Sequence, residues 1–369
     1  MIVLRVLAFL AGGVAVLATV ASALKTVVVP RAESAVLSRA VFLSTRKLFD
    51  LRIKKVDDWN EVDRVLSRYA PVSLILLPVA WITIVLLGFT PMFWALGSDF
   101  PREAVTRSGS SLLTLGFAFA RDMPETVLSF VAATIGLGLV ALLISYLPSI
   151  YAQFSRREVL VGQLTTRAGS PPEAAELLIR ALRIDWLDHL DELWIEWDRW
   201  FVEVEESHTS NASLPFFRSQ HHERSWLTAA GCVLDTAALR ASSLDLPRSF
   251  EAELCIRTGY LALRKLADLF DIAYEPNPAS DDPISIARDE FDEVWDQLEA
   301  AGAPMKGDRD QAWRDFSGWR VNYDRPLLML CALVNPPYAK WSSDRGMQRY
   351  RPPMRPGTTR ARSPFRRRR

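Results

Sequence analysis

Apolar positions are gathered at one end of the chain. Uninterrupted apolar runs cover Ile2 to Leu24, Val72 to Leu96, and Val127 to Leu147, the last continuing to Tyr151. Each meets the roughly 20 residues that a helix needs to cross a bilayer, and the only charge within them is Arg5, near the start of the first. From residue 152 the pattern changes to amphipathic segments with helical spacing. Leu187, Leu190, Leu193, Trp194, Trp197 and Phe201 fall on one face, with Asp185, Asp188, Asp191, Glu192, Glu196 and Asp198 between them. No alternation typical of strands persists, so the sequence predicts an all-α chain. Helices are expected over 171–206, 223–243, 247–274, 284–301 and 308–334, with Pro- and Gly-bearing breaks near 276–283 and 302–307.

Charge sets the expected orientation. The segment between the first two runs carries Lys25, Arg31, Arg39, Arg46, Lys47, Arg52, Lys54, Lys55, Arg64 and Arg68, whereas the segment between the second and third has only Arg102, Arg107 and Arg121. Arg156 and Arg157 follow the third run at once. Basic segments stay in the cytoplasm. The expected topology is an outside N-terminus, 25–70 inside, 97–126 outside and everything after 151 in the cytosol. Ala21-Ser22-Ala23 resembles a signal-peptide cleavage site, but cleavage would put the most basic segment outside, so an uncleaved anchor is expected. Val36, Leu37, Ala40, Val41, Leu48 and Leu51 predict a basic amphipathic helix on the inner membrane surface. Asp57 and Asp58 are placed to cap a second helix, with Trp59, Val62, Val65, Leu66 and Tyr69 on one face.

The 97–126 segment begins with a helix-start signal: Asp99, Phe100 and Pro101, with Glu103 in the first turn. A helix from Pro101 to about Leu113 is roughly 18 Å long, enough to dip halfway into a bilayer. Its carboxyl end carries partial negative charge, which favours a cation. Glu103 stands four residues before Arg107, the favourable order for a pair. The helix runs into Thr114-Leu115-Gly116-Phe117-Ala118. Irregular backbone at membrane depth needs cover from protein or water, and rings of backbone carbonyls can replace an ion's hydration shell.

Span, short helix, Thr-Leu-Gly-Phe and span together resemble the pore module of the potassium-channel superfamily, whose filter reads Thr-Val-Gly-Tyr-Gly-Asp. Thr114 falls on the threonine, Leu115 on the valine, Gly116 on the first glycine, Phe117 on the tyrosine, Ala118 on the second glycine and Phe119 on the aspartate. The end of the third run, Leu147-Pro148-Ser149-Ile150-Tyr151 with Phe154-Ser155-Arg156-Arg157-Glu158, is similar to bacterial members of the two-pore-domain potassium channel family. The resemblance covers 71–160 and extends toward Arg167-Ala168-Gly169-Ser170-Pro171-Pro172. It implies a pore lined by Thr114, Leu115, Gly116, Phe117 and Ala118, and a permeant monovalent cation, with potassium the candidate from the family's pattern. One pore loop per chain implies a homotetramer. Gly136 and Gly138, in the third span, are candidate hinge residues of an inner helix. Alanine, phenylalanine and phenylalanine at 118, 119 and 117 depart from the pattern and put the selectivity in question.

The 369 residues carry a formal charge of +1, so no global field points to nucleic acid. Cys232, Cys255 and Cys331 match neither zinc nor disulfide spacing and are expected to be buried, reduced thiols. The interleaved acids of 185–198 predict a solvated face. His189 is expected to be ordinary, and the adjacent His221 and His222 are poorly placed as metal ligands. There is no phosphate loop, zinc motif or nucleophile context, so an enzyme is not expected, and neither is a cofactor. The Arg-rich residues 342–369 predict a disordered tail that meets anionic lipid headgroups rather than nucleic acid. The expectation is therefore an all-α membrane protein: anchor 1–24, cytosolic amphipathic helices 25–70, span–pore loop–span module 71–151, helical cytosolic domain 152–341 and tail 342–369. It would be a multi-pass protein of the cytoplasmic membrane. The competing reading is a non-conducting scaffold or sensor that keeps the pore-module fold.

Overall fold

The computed structural model describes residues 2–27, 36–54, 56, 59–97 and 100–345. The tail beyond Arg345, and the capping positions Asp57, Asp58 and Asp99, lie outside them. Among the described residues there is no strand, only one antiparallel bridge between Leu244 and Met305. The contacts divide the chain into two compact units, Met1–Val56 with Val65–Ala152, and Asp57–Arg64 with Gln153–Arg369.

The first unit holds α1 (Ile2–Val27), α2 (Val36–Ile53), α4 (Tyr69–Ala95), α5 (Pro101–Leu112) and the first part of α6 (Met123–Ala168). Three helices are long and apolar enough to cross a membrane: α1, the stretch Glu61–Ala95 that includes α4, and α6. Pro78 and Pro91 lie inside α4 and Pro148 inside α6, and none of them ends its helix. α1 covers α4 near Pro91, where Gly12 faces Gly88 so closely that a Cβ on Gly12 would collide with Gly88 O and the Met92 and Pro91 side chains. Such close approach of small residues is how membrane helices gain dispersion energy without a hydrophobic drive.

α2 is tied to both spans. Thr26 and Ser38 hydroxyls are 2.7 Å apart, and the Tyr69 hydroxyl donates to Phe42 O at 3.2 Å. Leu37, Val41 and Phe42 pack on the core of this unit. Leu48 and Leu51, expected on the same face, are instead 65% and 63% exposed. The inward side of α2 is centred on Ser38 and Thr45, which are buried. In α3 (Trp59–Leu66) the expected face does turn inward, with Val62 and Leu66 buried, followed by Tyr69.

The second unit is built around α9 (Trp226–Ser243), of which almost every residue is buried. Apart from Asp235 and Arg240 its sequence is apolar or small all round, as a central helix requires. The Ser225 hydroxyl caps its start by accepting from Leu227 N. Around it stand α7 (Ala174–Arg183), α8 (Leu190–Ser210), α10 (Phe250–Leu269), α11 (Arg288–Ala300), α12 (Arg309–Arg320) and α13 (Asp324–Val334). Trp194, Trp197, Trp200 and Phe201 of α8 are buried on the expected face, and Asp185, Asp188, Glu192 and Glu196 are exposed.

Two expected helices are each a pair. The run 171–206 breaks after α7 because Asp185 takes a left-handed conformation, φ +57°. Asp185 N donates to Leu182 O at 3.1 Å and Trp186 N to Ala181 O at 2.8 Å, the two bonds of a Schellman termination. Aspartate tolerates that conformation better than most residues, and no glycine marks it. The run 308–334 breaks at Val321–Tyr323. Pro326 inside a helix continuing from α12 would cost about 3 kcal/mol, but it is accepted in the first turn of α13, where its missing N–H has no partner to lose. The expected loop at 208–224 also starts later, since α8 runs to Ser210.

Candidate functional site: the loop after α5

α5 forms where the sequence places it. Phe100 is its extended N-cap residue, Pro101 opens it and Glu103 lies in its first turn. The Ser108 hydroxyl donates to Leu86 O on α4 at 2.9 Å. At its carboxyl end, Leu112 O lies where a Cβ on Gly136 of α6 would be. Gly136 is roughly 20 Å along α6 from Met123, at 1.5 Å per residue. The carboxyl end of α5 therefore meets α6 well along its length before the chain turns back to reach Met123.

The turn is organised by Ser110. Its carbonyl accepts from Leu115 N at 2.8 Å and Gly116 N at 3.4 Å, and its hydroxyl accepts from Ala118 N at 3.0 Å. Thr114 and Gly116 both have positive φ, +53° and +73°. Glycine adopts that region freely, whereas threonine does so only under constraint. The Thr114 hydroxyl donates to Leu113 O at 2.8 Å. The loop's amides thus point back onto α5. Among the described residues, no donor is directed at the carbonyl oxygens of Thr114, Leu115, Gly116, Phe117 or Ala118. Thr114 to Phe117 are exposed, and Phe119 is 85% exposed.

Charged groups brace the loop from behind. Arg107 pairs with Glu125 at the start of α6, and Glu125 is 1% exposed. The expected partner Glu103 is within 4.0 Å of Arg107 and also binds Arg121, more closely, at 2.6 Å. Arg121 also donates to Gly97 O at 3.1 Å, and its own amide donates to the second oxygen of Glu125 at 2.9 Å. Glu125 lies outside the helical spacing that pairs Arg107 with Glu103 in the sequence. The signal for it is an acid in the first turn of the following helix. Buried pairs of this kind fix geometry, and removing one partner strands the other.

The two candidate hinge glycines differ. Gly136 provides room for Leu112, while a Cβ on Gly138 would meet nothing within 4 Å. Gly138→Ala is accordingly expected to fold normally and to raise the melting temperature of detergent-solubilised protein by a few degrees, since alanine gains about 1 kcal/mol over glycine within a helix. A fall in melting temperature would show that the position makes a contact after all.

The rest of the chain offers less chemistry. Cys232, Cys255 and Cys331 are buried and unbonded to one another. Burial pushes their thiols up, that of Cys331 to about 12, so they are not nucleophilic thiolates at neutral pH. Among the described residues no three His, Cys, Asp or Glu side chains gather as metal ligands. The cavity beside Cys232 and Asp235 is about 10 Å³, room for a single water. No family model matches the chain, and neither a curated protein nor a solved structure shows significant similarity to it.

Proposed function

We propose that α4, α5, the following loop and the first part of α6 form the pore module of a cation channel of the cytoplasmic membrane, assembled from four copies. The observation that carries this reading is the loop's polarity: the amides of Leu115, Gly116 and Ala118 are turned back onto Ser110 and that of Thr114 onto Ser111, and among the described residues the carbonyls from Thr114 to Ala118 are left without protein donors. Carbonyl oxygens in that state are ligands for a dehydrated monovalent cation when several copies surround an axis. A single copy supplies too few oxygens, which is the physical reason for an oligomer. The contact of the α5 carboxyl end with Gly136 supports a re-entrant placement, and that end adds a favourable dipole. The orientation proposed is the one the basic residues favour: N-terminus outside, loop 97–126 outside and the Gln153–Arg345 helices in the cytosol.

The module differs from a potassium filter where Ala118 and Phe119 stand. Ser110, Arg107, Glu125 and Arg121 take over the bracing of the loop. This reading accounts for conduction by a monovalent cation and leaves potassium preference to measurement. The competing reading, a non-conducting scaffold, is favoured by Phe119, whose exposed ring brings no polar group to a filter.

The experiment is cation flux in proteoliposomes containing the full chain. Wild-type protein is expected to carry a monovalent-cation flux and to run as a tetramer. Gly116→Pro is expected to abolish the flux. Proline fixes φ near −65° and removes the N–H that binds Ser110 O, so it cannot follow the loop's path. A monomeric particle, with no flux under any voltage, would overturn the proposal. Equal flux in wild-type and Gly116→Pro protein would also overturn it.

A further inference from the structure

α6 does not end with its apolar stretch. It continues into the second unit, and there Arg157 is buried, 3% exposed. Its guanidinium donates to the Glu158 carboxylate at 2.8 and 2.9 Å, to Leu214 O at 3.0 Å and to Phe217 O at 2.7 Å. It also lies 3.1 Å from Nε2 of the fully buried His208 on α8. The Trp200 indole donates to Arg157 O at 3.0 Å, and the Trp226 ring stacks near His208, with centroids 5.0 Å apart.

The tautomer of His208 follows from donor counting. A guanidinium can only donate, so Nε2 must accept and carries no proton. Nδ1 then holds the ring proton, 3.0 Å from the Ser207 hydroxyl. That hydroxyl spends its own proton on Glu203 O at 2.6 Å and is free to accept. Every site around the ring is thereby used, and a second proton on Nε2 would face Arg157 directly.

We propose that the Arg157–His208 contact is an acid-sensitive latch, closed at neutral pH, that holds the continuation of α6 against α8 and the turn Leu214–Phe217. The charged groups at the latch are Arg157 and Glu158 of α6. α8 contributes His208 and the neutral Ser207, the turn contributes two carbonyls, and α9 contributes the Trp226 ring.

Burial, and next the charge of Arg157, hold the closed His208 well below the ordinary histidine value. Once open to water, the ring returns to about 6.5. A base whose closed-state value is depressed stabilises the closed state fully above pH ~6.5. That stability is lost as pH falls from there toward the depressed value, so opening rises about tenfold per pH unit. Any effect on conduction rests on the pore reading, because α6 would be the inner helix. The latch itself does not.

Hydrogen exchange of the full chain in detergent micelles tests it. After correction for intrinsic rates, the hydrogen-bonded amides of Leu214, Phe216 and Phe217 are expected to lose protection about tenfold per unit between pH 6.5 and 5. The α9 amides, as an internal reference, should stay protected. His208→Gln keeps an acceptor for Arg157 but does not titrate, and should flatten the dependence; Glu158→Gln should leave it in place. In ¹⁵N-histidine-labelled wild-type protein, His208 should be a neutral ring protonated at Nδ1 at pH 7. A flat wild-type profile would overturn the latch. So would an unchanged slope in His208→Gln, or a proton on Nε2 at pH 7. Exchange that follows pH without any cation flux would leave the latch standing and defeat only the pore reading.

Discussion

Gly136→Val should destabilise the first unit by about 3 kcal/mol or more and abolish cation flux, the upper end of what overpacking costs. The obstacle is a backbone atom, Leu112 O at the end of α5. A flexible side chain would swing aside, but a helix carbonyl moves only if α5 moves. α5 is held by the Ser108 hydroxyl on Leu86 O and by Arg107 on Glu125. Relief therefore comes either from breaking those bonds or from pushing Leu113 to Ala118 out of place. Thermal unfolding in detergent, paired with flux in proteoliposomes, checks both halves. A valine variant with wild-type melting and wild-type flux would mean that α5 does not end against α6. The contrast with Gly138→Ala, two positions along the same helix, separates a packing effect from a general intolerance of substitution.

Arg320→Met is expected to be as costly, for a different reason. Arg320 is wholly buried in the second unit. It donates to both oxygens of Asp235 at 2.7 and 2.8 Å, to Asp324 at 2.8 Å and to Trp341 O at 2.6 Å. The Tyr323 hydroxyl and Ser285 complete the two carboxylates. Burial by itself would lower the arginine pKa, but Asp235 and Asp324 outweigh it and the net shift is upward. The guanidinium is therefore charged in the fold. Methionine fills similar space and leaves two carboxylates without a cation, which costs about 3–5 kcal/mol. Urea unfolding followed by tryptophan fluorescence should show a large fall in midpoint. The deficit should shrink as pH falls, because a buried carboxylate without its cation has a raised pKa and folds more readily when protonated. Adding Asp235→Asn should recover part of the loss. A single variant as stable as wild type would show that the cluster contributes specificity but no stability.

The sites of these two predictions were legible in the sequence to different degrees. Gly136 was visible as a glycine in an apolar run, but only as a hinge candidate. Nothing local announces that another helix ends against it. Arg320, Asp235 and Asp324 are 85 and 4 positions apart and carry no motif, so the sequence reading gave them no role. Arg157 and His208 are 51 apart, and the sequence marks Arg157 as a basic residue after a span, within the segment that carries the family resemblance, with nothing to name His208 as its partner.

The sequence by itself determined what depends on composition and local periodicity. The three apolar helices, the all-α character, the start of α5 at Pro101 and the inward face of α8 all follow from where apolar residues recur and where proline fixes φ. Tertiary structure decided what depends on which distant groups meet. It added Glu125 to Arg107 and Arg121 to Glu103, turned Leu48 and Leu51 outward, and left the carbonyls of Thr114 to Ala118 bare while the amides of Leu115, Gly116 and Ala118 bind Ser110. Periodicity is a property of neighbours along one helix, so the chain reveals it residue by residue. Partner choice for a buried charge or a loop carbonyl is settled by packing between helices far apart in sequence, and only the folded chain fixes that.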